Sequence, residues 1–332
     1  MKEYVMRKCR VGIIGAGRMA DFHLQVLTAF EDVEVVALAN QRNAEKAQSV
    51  CQKYGIPKHY QDYKRMLDME KPDAAVVAVS IVGNFEVTKE CLSRGIPTLI
   101  EKPPGITVEE TMELKNIAEA KKVIHLVGLQ RRFSSHIREG IRIIKERGPI
   151  HSIVVEAPER FGEIKAKNKF PEKVLKSWIF ANGIHCIDML PYIGGPVAQV
   201  VASAQAWDET LHPDSLHALF KFENQASGHY IANWSSPGGW SVKIYGKGCR
   251  VDIQPLERGR VIYADGTEKD LPIDKKDVAF KPGLYAQDRM FIDACLKKGK
   301  IGHPAATLRE GLEAMQLAEK IMSNNAGWKQ GK

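Results

Sequence analysis

Up to about Val127, short apolar runs alternate with amphipathic stretches. The runs Val11–Ile14, Val33–Ala39, Ala74–Val79, Thr98–Ile100 and Val123–Val127 predict strands. Between them, Met19–Ala29, Ala44–Tyr54, Tyr63–Met69, Phe85–Arg94 and Val108–Lys121 carry helical spacing. Strands separated by helices of this length define right-handed βαβ units and a parallel sheet. Pro57, Pro72, Pro97 and Pro103-Pro104 mark the joints. Beyond Gly128 the period changes. A helix over Ser135–Arg147 stops at Gly148-Pro149. Apolar residues then alternate with polar ones through Ile150–Glu156, Val197–Trp207, Ser215–Phe222, Ala226–Trp234, Trp240–Tyr245, Arg250–Gln254 and Arg260–Tyr263. That pattern predicts an antiparallel sheet with one buried face. A helix at Ile179–Tyr192 interrupts it, the helices Leu284–Lys297 and Leu308–Ser323 close the chain, and Gly327–Lys332 reads as a frayed end.

The change of rhythm divides the 332 residues into two expected domains. Residues 1–128 form an α/β domain around a parallel sheet. Residues 129–332 form an α+β domain with a large, mainly antiparallel sheet. With 44% hydrophobic and 27% charged residues the chain reads as a globular protein. No apolar run approaches a membrane span, and Met1–Arg10 lacks the apolar core of a signal peptide. The six cysteines are scattered with no C-x-x-C pair, which suits a reducing compartment such as the cytoplasm and argues against both a zinc site and a disulfide framework; no metal site is expected. Of the net +8, the segment 130–178 supplies a large share, with twelve Lys/Arg against six Glu. It has few aromatics and no reading-helix motif, so an anionic small molecule fits it better than nucleic acid, and a plain solvated surface remains the alternative.

The most informative local feature is Val11-Gly-Ile-Ile-Gly-Ala-Gly-Arg-Met-Ala20, a strand that runs through G-x-G-x-x-A into a helix. Gly15 allows the tight turn, Gly17 lets backbone approach a diphosphate, and Ala20 lets helix pack on strand, which makes residues 1–128 an expected dinucleotide-binding domain of the Rossmann type. Ala16, Arg18 and Met19 complete the cradle at the helix N-terminus, and Ser80, Glu101 and Lys102 join the candidate cofactor set. NAD sites of this kind place an acid at the end of the second strand. Here that strand ends Asn40-Gln41-Arg42. Without a carboxylate to repel a 2′-phosphate, Arg42 can pair with it and Asn40 can bond the ribose, so NADP is favoured over NAD. The bland alternative makes Arg42 the first solvated residue of the next helix.

The turn Glu101-Lys102-Pro103 after the Thr98–Ile100 strand resembles the E-K-P signature of the glucose–fructose oxidoreductase / inositol dehydrogenase / MocA family. The resemblance extends to the glycine turn, to Gly128-Leu-Gln-Arg-Arg-Phe133, to Asn182-Gly-Ile-His-Cys-Ile-Asp188 and to Tyr245-Gly-Lys-Gly248. It implies an NAD(P)-linked dehydrogenase acting on a secondary alcohol or ketone of a sugar, cyclitol or nucleotide sugar. It also implies a cis peptide before Pro103 and an open sheet through which copies associate as a homodimer or homotetramer. Lys102 at a strand's carboxyl end is suited to stabilising a developing alkoxide. His185 is suited to taking the hydroxyl proton. Asp188, one turn later on the same helix face, either orients that ring or anchors the helix.

Two departures stand out. The family commonly carries Asp or Asn four residues before the histidine, where this chain has Ala181. Ile81 and Phe85 also stand where the family's Pro and His are expected. Ala181 leaves two other readings open: a cofactor-binding regulator without dehydrogenase chemistry, and a nicotinamide enzyme that reduces imines or eliminates from a glycoside. For the substrate side the candidates are Arg131, Arg132, Lys176, Trp178, Asn182 and Trp234; Trp234 and Trp240, which flank Ser235-Ser236-Pro237-Gly238-Gly239, either stack on a sugar ring or pack on the sheet. The basic Lys165–Lys176 loop favours a substrate bearing phosphate or carboxylate.

Overall fold

The structure is a computed structural model that describes residues 7–207 and 213–323; the end at Gly327–Lys332 lies outside them. Its first sheet consists of β1 (Cys9–Ile14), β2 (Val33–Ala39), β3 (His59–Tyr60), β4 (Ala74–Val77), β5 (Thr98–Ile100) and β6 (His125–Val127). All six are parallel, in the order β3-β2-β1-β4-β5-β6. The helices α1 (Arg18–Leu27), α2 (Ala44–Tyr54), α3 (Tyr63–Glu70), α4 (Ile81–Ser93) and α5 (Val108–Lys121) connect them. The near-continuous apolar strands follow from burial on both faces. Alternate residues feed two cores. Val11, Ile13, Ala74 and Val76 pack with α1 and with Leu284, Phe291 and Ile292. Ile14, Ala75 and Val77 pack with Met66, Leu67, Val87 and Cys91.

The second sheet has eight strands: β7 (Ile150–Glu156), β8 (Val197–Gln205), β9 (Ser215–Phe222), β10 (Ser227–Asn233), β11 (Ser241–Gly246), β12 (Cys249–Ile253), β13 (Gly259–Tyr263) and β14 (Glu268–Asp270). Their order is β14-β13-β12-β11-β7-β10-β9-β8. The sheet is antiparallel except at its centre, where β7 and β10 run parallel. β7 leaves the sheet for a helical excursion and the chain returns through the opposite edge, which puts β10 beside it in the same direction. The helix Ser135–Arg147 lies against β11–β13, where Gly140 and Gly246 leave room: a Cβ would come within 2.8 Å of Val251 and 2.6 Å of Ile144, respectively. The helix Ile184–Gly194 lies against β7 and β10. Along β9 every second residue from His217 onward is exposed, including Leu219 at 50%.

The chain forms two compact units, and the cut differs from a single boundary at 128/129. The first unit runs to Phe133 and includes Lys276–Leu312; the second holds Ser134–Lys275 and the chain from Glu313 onward. The return is physical. The helix Leu284–Lys297 completes the α1 face of the parallel core, and Ala306 pairs with Val127 beside the last strand.

Candidate active site

Parallel register lines up the ends of the first sheet. Ala39, Ile14, Val77, Ile100 and Val127 stand in one row across five strands. The residues that follow each therefore emerge at one carboxyl edge: Gly15–Met19, Asn40–Arg42, Ser80, Glu101-Lys102 and Gly128. The strand order reverses direction between β1 and β4, which is where folds of this kind bind dinucleotides.

The glycine turn has the shape a diphosphate needs. Gly15 has φ +114°, and a Cβ there would lie 2.2 Å from the Ala78 carbonyl oxygen, so only glycine fits. At Gly17 a Cβ would meet nothing within 4 Å, which leaves the backbone open to a ligand. Gly17 is also the N-cap of α1 and supplies no side-chain cap, so the first-turn N–H groups face outward with the positive end of the helix dipole. These residues fit a dinucleotide. Asn40 donates its amide to the Asn43 carbonyl at 2.8 Å, and Asn43 caps α2, so the loop is braced from within. Arg42 is exposed on that braced loop and makes no ion pair among the described residues. Ser80, also exposed, is the N-cap of α4 and likewise gives no side-chain cap.

Lys102 sits half-buried in a clamped turn. The Asn84 amide on α4 donates to the Glu101 carbonyl at 2.5 Å and to the Pro103 carbonyl at 2.6 Å, one on each side of the lysine. The Lys102–Pro103 peptide is cis, as the family resemblance implies. Glu101 itself points inward, 5% exposed, and accepts from His23 Nε2 at 3.2 Å. His23, fully buried on α1, turns its Nδ1 to Asp288 at 2.8 Å. Burial alone would push this imidazole down, but the carboxylates of Asp288 and Glu101 outweigh it and hold it up to about 10. Burial pushes the Asp288 carboxyl up, against the pull of His23.

In the second unit the expected Ile179–Tyr192 helix is two pieces. A π-helical turn over Ile179–Gly183 leads into the α-helix Ile184–Gly194. Such turns admit an extra residue into the helical ladder and are frequent at functional sites. His185 is buried in the first turn of the following helix, with its ring 6.2 Å from that of Trp240, and Asp188 is buried one turn on. Asn182, beside Ala181, donates its amide to Glu159 Oε1 at 2.5 Å. Tyr230 is fully buried, and its hydroxyl lies 3.4 Å from where a Gly183 Cβ would stand. Burial pushes that phenol well above its ordinary range, helped by Cys186 and Glu159 nearby.

The remaining substrate candidates separate. Trp178 and Trp234 are both buried and meet through Phe161, which stacks on Trp234 at 5.5 Å and meets Trp178 edge-on at 5.9 Å. Lys176 is exposed and pairs with Glu172 at 2.7 Å across one helical turn. Arg132 is buried in a 3₁₀ turn, whereas Arg131 in the same turn is half-buried. Sequence reasoning missed His23, Asn84, Asp288 and Glu159. Only His23 left a signal, a histidine directly before Leu24 on an otherwise apolar helix face.

The family model for the oxidoreductase family with an NAD-binding Rossmann fold matches residues 9–129, and the GFO/IDH/MocA C-terminal domain matches residues 145–251. The chain belongs to this family of oxidoreductases. It is 24% identical over 320 residues to the trans-1,2-dihydrobenzene-1,2-diol dehydrogenase of Mus musculus, covering 94% of this chain and 95% of that protein. To the D-glucoside 3-dehydrogenase of Escherichia coli K12 it is 28% identical over 243 residues, 70% of this chain and 64% of that one. A levoglucosan dehydrogenase solved in complex with NADH has the same fold, with TM-score 0.81 at 17% identity over 96% of this chain and 97% of that one. Among the described residues, no helix is long and apolar enough to cross a membrane.

Proposed function

We propose that this protein is an NAD(P)-dependent dehydrogenase or reductase acting on a secondary alcohol or ketone of a sugar- or cyclitol-like anion. The observation that carries the reading is the row of strand ends, which brings the open glycine turn and the clamped Lys102 turn to one edge of one sheet. A nicotinamide cofactor, when bound, supplies the hydride acceptor or donor. The chain's own residues do the rest. Gly15 to Met19 cradle the diphosphate, with Asn40, Ser80 and Glu101 along the same edge. Arg42, in no ion pair among the described residues and with no acid on its loop, favours NADP. Lys102 holds the substrate oxygen and stabilises its developing negative charge. His185 takes or returns the hydroxyl proton, and Asp188 supports it from the next helical turn.

Ala181 stands where the family resemblance implies an Asp or Asn. Asn182 with Glu159 supplies polar groups on the neighbouring turn, which favours retained chemistry over a cofactor-binding regulator. The exposed lysines from Lys165 to Lys176, with half-buried Arg131, favour a phosphate- or carboxylate-bearing substrate. We further assign it to the cytoplasm as a homodimer or homotetramer associating through the second sheet, which leaves Leu219 exposed.

The test is fluorescence titration with NADH and NADPH, then turnover on neutral sugars, sugar acids, sugar phosphates and nucleotide sugars. Anionic sugars are expected to turn over fastest, with salt-dependent KM. Lys102→Ala or His185→Ala should lower kcat by about 10²- to 10⁴-fold with cofactor affinity kept. Tight NADPH binding with no hydride transfer to any member of the panel refutes the dehydrogenase reading.

A further inference from the structure

The turn that carries Lys102 is tied to a buried charged chain. Glu101, the residue before the lysine, accepts from His23 Nε2 at 3.2 Å, and His23 Nδ1 reaches Asp288 at 2.8 Å. All three are at least 95% buried. They come from β5's carboxyl end, from α1 behind the glycine turn, and from the helix Leu284–Lys297. Gly128, just past the end of β6, makes room for the inward carboxylate, because a Cβ there would lie 2.8 Å from Glu101 Oε1. Asp288 is further bonded by the Gln287 amide at 3.3 Å.

Packing alone does not account for this. Buried ionic groups are expensive to desolvate, and apolar residues of the same volume commonly serve a core as well or better. What an apolar core cannot do is fix the direction of the Glu101 side chain and set a charge one residue from Lys102. We propose that His23, bracketed by Glu101 and Asp288, is a positioning residue that holds the Lys102 turn at the sheet edge and tunes the charge of the lysine amine. This rests on Lys102 being the group that faces the nicotinamide end of the cofactor. The imidazolium is the positive member of the chain, and the charged groups facing it are the two carboxylates. On α1 itself, Asp21 is engaged by Lys53 at 2.6 Å, and the Lys281 ammonium stands 5.8 Å from the neighbouring Phe22 ring.

Removing the imidazolium leaves the carboxylates of Glu101, one residue from Lys102, and Asp288 without their positive partner, so the lysine holds its proton to higher pH. Trace acetylation of the full chain with acetic anhydride reads this directly, because only the neutral amine reacts, and mass spectrometry isolates the Lys102 peptide. His23→Gln keeps hydrogen bonding on both sides without the charge. It is expected to slow Lys102 acetylation at about pH 8 by about threefold or more, leaving exposed amines such as Lys269 unchanged. A rate at Lys102 equal to that of the unaltered protein, in a variant with an unchanged circular dichroism spectrum, overturns the proposal. If His23→Gln does not fold, ¹⁵N-histidine resonances of the unaltered chain decide. A doubly protonated His23 ring at about pH 8.5 supports the proposal, and a neutral ring refutes it. A parallel arm adds NADPH or NADH before acetylation. Failure of either to protect Lys102 counts against the site reading itself, whatever the variant does.

Discussion

Between Glu101 and Pro103 the backbone has no slack, since one Asn84 amide bonds both flanking carbonyls. Replacing that amide by a carboxylate puts oxygen against oxygen. Asn84→Asp should therefore destabilise the protein more than Asn84→Ala, by about 2–4 kcal/mol in all, measured from urea midpoints. At the far end of the same edge, Arg42→Ala should weaken NADPH binding by about tenfold while leaving NADH unchanged, measured by fluorescence titration. Equal losses for both cofactors would make Arg42 an ordinary surface residue. The turn at Gly15 was legible because its backbone shape is set by the few residues on either side. Asn84, His23 and Glu159 were not, because their partners lie from 17 to 265 residues away and no local pattern encodes such a meeting.

Elements were legible in proportion to the apolar surface they bury. The long strands and the helices α2 and α5 fall where periodicity predicts, but β3, two residues long, and β14, Glu-Lys-Asp, bury too little to leave a pattern. The parallel β7–β10 pair was hidden too, since alternation reports a face and not a direction. Hydropathy did not reveal the π turn before His185, because a helix with one extra residue in its ladder stays apolar throughout. One energetic consequence belongs to this scale, because His23 joins α1, β5 and the helix Leu284–Lys297. Its folded value of about 10 stands above the ordinary ~6.5 of a histidine. The stabilisation it brings is complete below about pH 6.5 and is lost as pH rises through 10. The stability gap between the unaltered protein and His23→Gln should therefore shrink steadily from pH 7 to 10.5 in urea titrations. A gap independent of pH would mean that the ring is neutral in the fold.

On the scale of the whole molecule, Leu219 pairs across the second sheet with His229, which pairs with Val154, in a row open on one face. If copies associate through that face, Leu219→Glu should lower the mass seen by sedimentation equilibrium to that of a single chain, with the fold and NADPH affinity kept. An unchanged mass would move the contact elsewhere. The domain cut at 128 was the least legible feature, because nothing in the run of strands and helices announces that Lys276–Leu312 returns to the first unit.

That return also sets an order of events during synthesis. By the time Phe133 is made, all six parallel strands exist, yet Leu284, Phe291 and Ile292, which cover one of their faces, are still to come. Roughly 160 residues must be translated before Ile292 is made, on the order of 10 to 30 s at ordinary elongation rates. Through that interval the nascent sheet exposes Val11, Ile13 and Val76, and His23 waits for Asp288. A truncated gene ending near residue 133 would make that transient permanent, so an isolated nucleotide-binding half should be built by joining the segment from Lys276 back onto it.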